Sequence, residues 1–316
     1  MSKKIAGVYF HSGKTSQFIA CVLDYFEPGD RWVLDQIYFS GDSSKALNES
    51  FESWVIANNI TDLVLNFPVS PTLCESCTLK CPGEDSCHHS VNVEMKETVA
   101  SVLEKDSVYE KENPKDYERA RNKQDEYVHR LKVFSSNQTT YTPISKSLKK
   151  RLRRGFIPYW NRPIDLFICL NYYNELIQVF NYSYDSFGHT SLMNIKRFNY
   201  LSKHLTGVNI WESNIYLNFL ELLRSEILAT DDLYGMKYVD EFSVSLRKNI
   251  VSKVEKNLNI FIKSEDSAIL TFDPRAINAL VLSLSGVAKS SNHAVTLPSW
   301  CQSSHQNFIV PTYSLH

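Results

Sequence analysis

No run in this 316-residue chain approaches the roughly 18 uninterrupted apolar residues that a membrane-spanning helix needs, so no membrane partner is expected. Glycine is scarce, at 10 residues, and nowhere do the glycines cluster into a loop that could cradle phosphates. HExxH is absent, as is any Ser/His/Asp order with a local signature, which leaves metalloprotease and triad-hydrolase readings without support. Charge of one sign is lacking too. The formal net charge is −1, so any nucleic-acid footprint must be local rather than a property of the whole molecule. The first residues, Met1 to Lys14, carry lysines but no apolar run behind them, and a signal peptide is not expected. No internal repeat and no low-complexity tract interrupts the chain. What remains is a globular composition, 43% hydrophobic and 22% charged, on a chain long enough for one large domain or two ordinary ones.

Cysteine is also rare, except in one place. Four of the seven cysteines fall at Cys74, Cys77, Cys81 and Cys87, and only Cys21, Cys169 and Cys301 lie elsewhere. Thiolates are soft ligands, and a CxxC step presents two sulfurs from one tight turn. Four of them satisfy a tetrahedral Zn²⁺ site without outside help. An iron–sulfur cluster on the same four thiolates is the alternative, and free or disulfide-bonded thiols are the reading without metal. His88 or His89 could stand in for Cys87. An odd cysteine count with a ligand-like cluster suits a reducing cytoplasm better than a secreted disulfide scaffold.

Element order is most legible in the first seventy residues. Ile5–Phe10, Phe18–Leu23 and Trp32–Phe39 read as three strands joined by turns at His11–Lys14 and Pro28–Asp30. A helix is predicted from Gly41 through Ala57, with Ala46, Leu47, Phe51, Trp54 and Val55 on one face. Asp62–Phe67 then reads as a strand buried on both faces. The middle is a large cysteine-rich and charged insertion, residues 71–160. Its Glu104–Lys132 stretch is predicted to be a solvated helical region with a start at Asn113-Pro114. Lys146, Lys149, Lys150, Arg151, Arg153 and Arg154 crowd six cations into nine positions, the one candidate phosphate-facing patch; an exposed basic helix end is the bland reading. A helix is expected to end near Phe180, Val208–Glu212 is a strand candidate, and helices are predicted over 214–228, 236–257 and 276–286. The tail from Ser290 reads as irregular.

Three antiparallel strands, a helix, and a fourth strand alongside the first form the order of the ribonuclease H-like fold. On several motifs the chain resembles an uncharacterised bacterial family of predicted ribonuclease H-like nucleases, domain of unknown function 429. These motifs are Ala6–Phe10 with the Gly13-Lys14 turn, Leu65–Ser70, the cysteine knot with Cys81-Pro82-Gly83, Pro158–Asp165, Trp211-Glu212 and Ala276–Leu280. The resemblance implies an α/β fold with a mixed five-stranded sheet flanked by helices, a helical C-terminal half, and one domain over 1–316 that carries the insertion.

Such enzymes cut phosphodiesters with divalent ions held by carboxylates at strand ends. The family's acidic positions fall here on Tyr9, Asn66, Glu212 and Asn278, and only Glu212 is a carboxylate. A two-metal site needs several negative charges, so Mg²⁺ is not expected to be held. The resemblance therefore implies a pseudo-nuclease, catalytically inactive, that acts in nucleic-acid or protein binding, with Glu212 facing the two asparagines in a cleft. The alternative is an active metal-dependent nuclease in which Asp165 and Asp273 replace the missing oxygens beside Glu212. Competing roles for these two are a salt bridge with Arg162 and a helix N-cap ahead of Pro274.

Overall fold

The computed structural model describes residues 3–10, 18–40, 51–125, 143–182, 199, 202–236, 240–305 and 307–313. The turn at His11–Lys14, the start of the helix predicted from Gly41, and the end of the charged stretch at Lys132 lie outside them. Strands β1 (Lys4–Phe10), β2 (Phe18–Phe26) and β3 (Arg31–Phe39) pair antiparallel in succession. Helix α1 (Phe51–Ala57) follows, and β4 (Asp62–Leu65) returns parallel to β1. Strand β5 (Asn209–Ser213) pairs parallel to β4.

The predicted five-stranded sheet is wider than expected. Two short strands, β6 (Ile260–Phe261) and β7 (Phe308–Ile309), extend its edges, giving the seven-stranded order β6-β3-β2-β1-β4-β5-β7. The tail read as irregular therefore closes one edge of the sheet. Two-residue strands carry too little period-2 pattern to be recognised from sequence.

Strand alternation gives the sheet two different faces. Ala6, Val8 and Phe10 of β1 join Leu63, Leu65 and Phe67 in a core with Phe18, Phe51 and Trp54. Its rings meet mostly edge to face, Phe18 on Phe51 at 5.0 Å and Phe10 on Phe67 at 5.2 Å, the geometry the aromatic quadrupole favours. Ile5, Gly7 and Tyr9 face the other way. There α10 (Pro274–Ser290) crosses β1 so closely that a Cβ on Gly7 would collide with the Ala279 carbonyl and the Ser283 amide. Both are main-chain atoms of a buried helix and cannot swing aside. Gly7→Ala is expected to cost about 1–3 kcal/mol or more. The check is the urea midpoint, and an unchanged midpoint would refute the close approach.

The chain divides into two compact units rather than one domain with an insertion at 71–160. Unit 1 takes residues 1–69, 190–295 and 307–316, and holds the sheet, α1, α7 (Ile215–Arg224), α8 (Glu241–Asn257), α9 (Ser264–Phe272) and α10. Unit 2 takes 70–189 and 296–306: α2 (Leu73–Ser76), α3 (Ser90–Glu112), α4 (Pro114–Asp125), α5 (Lys146–Arg153), α6 (Pro163–Phe180) and α11 (Ser299–His305). The second unit has its own core, in which Leu166 and Cys169 of α6 pack with Leu73, Val91, Met95, Leu148 and Leu152. That shared core is why the unit runs on past residue 160. Among the described residues, no helix is long and apolar enough to cross a membrane.

Candidate functional site

In unit 1, the strand register brings Tyr9 and Asn66 to one end of the sheet. Val8 pairs with Leu65 in the parallel β1–β4 ladder, so Tyr9 and Asn66 come one step further along neighbouring strands. The Asn66 side chain accepts the Phe10 amide hydrogen at 3.1 Å, which ties the two strand ends together. Asn278 lies in the second turn of α10, near the Tyr9 phenol. Burial above all, then the neighbouring Tyr216 hydroxyl, pushes the Tyr9 phenol above its usual value, so it stays neutral at physiological pH.

Glu212 stands apart from this trio. It shares a register row with Leu65, and its strand neighbour Ile210 packs into the aromatic core of the α1 side. By alternation Glu212 belongs to that face, opposite Gly7 and Tyr9. Its carboxylate is buried and accepts the Val69 amide hydrogen at 3.0 Å, fixing the chain that leaves β4. The expected convergence of Glu212 on the two asparagines is corrected by this alternation.

Asp273 caps α10. It accepts the Arg275 amide hydrogen at 2.8 Å and pairs with the Arg275 guanidinium at 2.7 Å. Burial alone would raise its carboxyl, but the Arg275 side-chain and backbone hydrogen bonds outweigh that and hold it below the usual carboxylate range. Asp165 belongs to unit 2, where it accepts the Arg162 amide hydrogen at 2.6 Å in a capping box that starts α6. Both acids thus have helix-capping roles.

No family model, curated protein or solved structure matches the chain.

In unit 2, the cysteine segment starts inside the short capping-box helix α2, which carries Cys74, and runs on to the start of α3. No residue from 74 to 90 is buried, and Gly83 turns the chain with φ 101°, a conformation L side chains rarely adopt. All four thiols are free. Partial burial, then the charges of Cys87, Cys81 and Cys77, push the Cys74 thiol up, so Cys74 lies within electrostatic range of each of the others. Among the described residues, no three His, Cys, Asp or Glu side chains stand together as a ready metal-ligating group. The donor chemistry fits zinc, and the sulfurs would need to draw in around it.

The basic patch is helix α5, and its six cations have different roles. Lys149 turns inward, donating to Asp106 of α3 at 2.7 Å, to Glu110 at 3.1 Å and to the Tyr117 hydroxyl of α4 at 3.2 Å. Asp106 is fully buried and also accepts the Tyr117 hydroxyl at 2.8 Å and the Ile144 amide hydrogen at 3.1 Å. Arg151 donates to the Gly155 carbonyl at 3.2 Å and lies 4.6 Å from the centre of the Phe156 ring. Lys146, Lys150, Arg153 and Arg154 are the exposed four. They line, with Glu110 and Lys149, a concavity of about 600 Å³.

Sequence reasoning missed the Asp106–Lys149–Tyr117 network. A signal was present: Val99, Val102, Leu103 and Asp106 recur at helical spacing, which puts the acid on the core face of α3 rather than in solvent.

Proposed function

We propose that this chain is a ribonuclease H-like protein whose metal–carboxylate site has degenerated, and that it binds nucleic acid without cutting it. The observation that carries this reading is the register that sets Tyr9 beside Asn66, whose amide oxygen is spent on the Phe10 amide hydrogen at 3.1 Å. Neutral side chains stand at the residues that the resemblance matches to ion-binding carboxylates, where divalent ions would need anionic oxygens. The strand order supports the fold half of the reading, with three antiparallel strands and the fourth alongside the first. The alternative, a working nuclease built on Glu212 with Asp165 and Asp273, is disfavoured by the capping roles of both aspartates and by the opposite facing of Glu212.

Wild-type protein is expected to show no Mg²⁺- or Mn²⁺-dependent cleavage of DNA, RNA or hybrid above background. Glu212→Gln should leave that baseline unchanged. The combined Tyr9→Asp, Asn66→Asp and Asn278→Asp variant should gain divalent-ion affinity, read by calorimetry, because each change adds a full negative charge where the three side chains gather. Metal-dependent cleavage by the wild type that Glu212→Gln abolishes would overturn the reading.

A further inference from the structure

We infer that the α5 concavity is the nucleic-acid site, and that its occupant is the phosphodiester backbone of a single strand. The inference rests on the nucleic-acid-binding reading and deepens it by naming the surface and the ligand.

The six cations of α5 and its C-cap fall into two groups. Lys149 and Arg151 are held by the protein's own acceptors and by the Phe156 ring. Lys146, Lys150, Arg153 and Arg154 have no acid or hydrogen-bond acceptor paired with them among the described residues. Lys146, Lys150 and Arg153 recur at i, i+4 and i+7, so they form one ridge roughly 10 Å long along the helix. Five cations line or floor the concavity against Glu110 and the buried Asp106, an excess of three positive charges. In a chain of net charge −1, this concentration is a local field suited to a run of phosphates.

The helix is also fixed in place. Leu148 and Leu152 anchor it in the core of unit 2, and the Asp106–Lys149 pair pins it to α3. A ridge of cations on a rigid base loses less side-chain freedom on binding than the same charges on a loose loop. A single strand is favoured over a duplex by the turn that follows. Tyr159 and Trp160 stand 59% and 46% exposed just after the helix in the same unit, and unstacked bases offer faces for such rings while a duplex hides them.

The test uses the full chain and a fluorescently labelled oligo-dT, with anisotropy read over a range of KCl. The wild type should bind with log K falling against log salt at a slope of about −3, for four phosphates neutralised on a single strand. The combined Lys146→Gln, Lys150→Gln, Arg153→Gln and Arg154→Gln variant should flatten the slope to about −1 or less and lose at least about tenfold in affinity at low salt. All four residues are exposed, so its thermal unfolding should match the wild type and certify the fold. Tyr159→Ala with Trp160→Ala should weaken binding while keeping the slope. A full slope retained by the quadruple variant would overturn the site while leaving nucleic-acid binding intact. No wild-type binding at low salt would overturn the nucleic-acid reading itself. Displacement by inorganic polyphosphate as efficient per charge as by unlabelled oligo-dT, with the aromatic pair indifferent, would overturn the single-strand assignment.

Discussion

Lys149→Met should destabilise unit 2 by about 3–5 kcal/mol, the cost of leaving a buried carboxylate without its cation. Asp106 is fully buried, and Lys149 is 2.7 Å away with only 14% of its side chain exposed. The methionine keeps the length and apolar stem of lysine, so packing changes little and the loss reads the charge. Removing both partners with Asp106→Leu and Lys149→Met should recover most of the stability, because no charge is then stranded. Urea unfolding gives the global value, and hydrogen exchange on α3 and α5 amides localises it. A Lys149→Met midpoint equal to the wild type would show that Asp106 is solvated after all.

The same network sets a pH window. Burial by itself would raise the Asp106 carboxyl. Hydrogen bonds from Lys149, Tyr117 and the Ile144 amide outweigh it and leave the group below its ordinary value. A carboxylate depressed in the folded state stabilises fully above its unfolded value of about 3.9, and that stability is lost as pH falls through the folded value. Lys149 has the opposite sign. Burial would lower it, but bonds to Asp106, Tyr117 and Glu110 raise it, so its contribution is complete below about 10.4 and is lost as pH rises further. The stability gap between wild type and Lys149→Met should therefore be widest between about pH 4 and 10 and shrink below 4.

Much of unit 1 was legible because its signals are local and mutually consistent. Ile5–Phe10 and Phe18–Leu23 run without a polar residue for six positions, Trp32–Phe39 is broken only by Asp35 and Gln36, and turn residues bound each. Pro274 behind Asp273 announces the start of α10 through a missing amide and a capping carboxylate, and α10 begins there. Unit 2 was harder to read. Helix α3 is charged through much of its length, and its buried face includes Asn92 and Asp106, so a hydrophobic pattern alone does not reveal it. Its core completes itself with Trp300 from α11, more than a hundred positions further along the chain, a closure that no local window contains.

The site residues show the same limit. Sequence supplied their identities and their approximate places at strand ends, but not the face each would occupy. Glu212 is a carboxylate at the end of β5, as motif position suggests, yet the β4–β5 register puts it in the row of Leu65. A one-residue shift of register would have turned it to the side of Tyr9, and nothing in five residues of sequence fixes that choice. For the α5 cations, density was visible while partners were not. The distant Asp106, Glu110 and Tyr117 separate Lys149 from the exposed four.

Purified without added metal, the protein should carry about one zinc ion per chain on Cys74, Cys77, Cys81 and Cys87. The segment they punctuate has no buried residue from 74 to 90, so it has no core of its own to hold it between α2 and α3. Bound zinc would supply what burial does not: structural zinc sites contribute on the order of 10 kcal/mol of apparent binding energy. The thiols must deprotonate to bind. Because burial and the other three sulfurs push the Cys74 thiol up in the absence of a cation, zinc affinity should fall steeply as pH is lowered. Chelation at neutral pH should speed hydrogen exchange through residues 72–90 while the amides of β1 and β4 in unit 1 stay protected. Cys77→Ser and Cys81→Ser should each lower the metal content and give the same exchange pattern without chelator. A brown protein with iron and acid-labile sulfide would replace zinc with an iron–sulfur cluster on the same ligands. Neither metal in the elemental analysis, with exchange unmoved by chelator, would leave the four cysteines as plain thiols and refute the site.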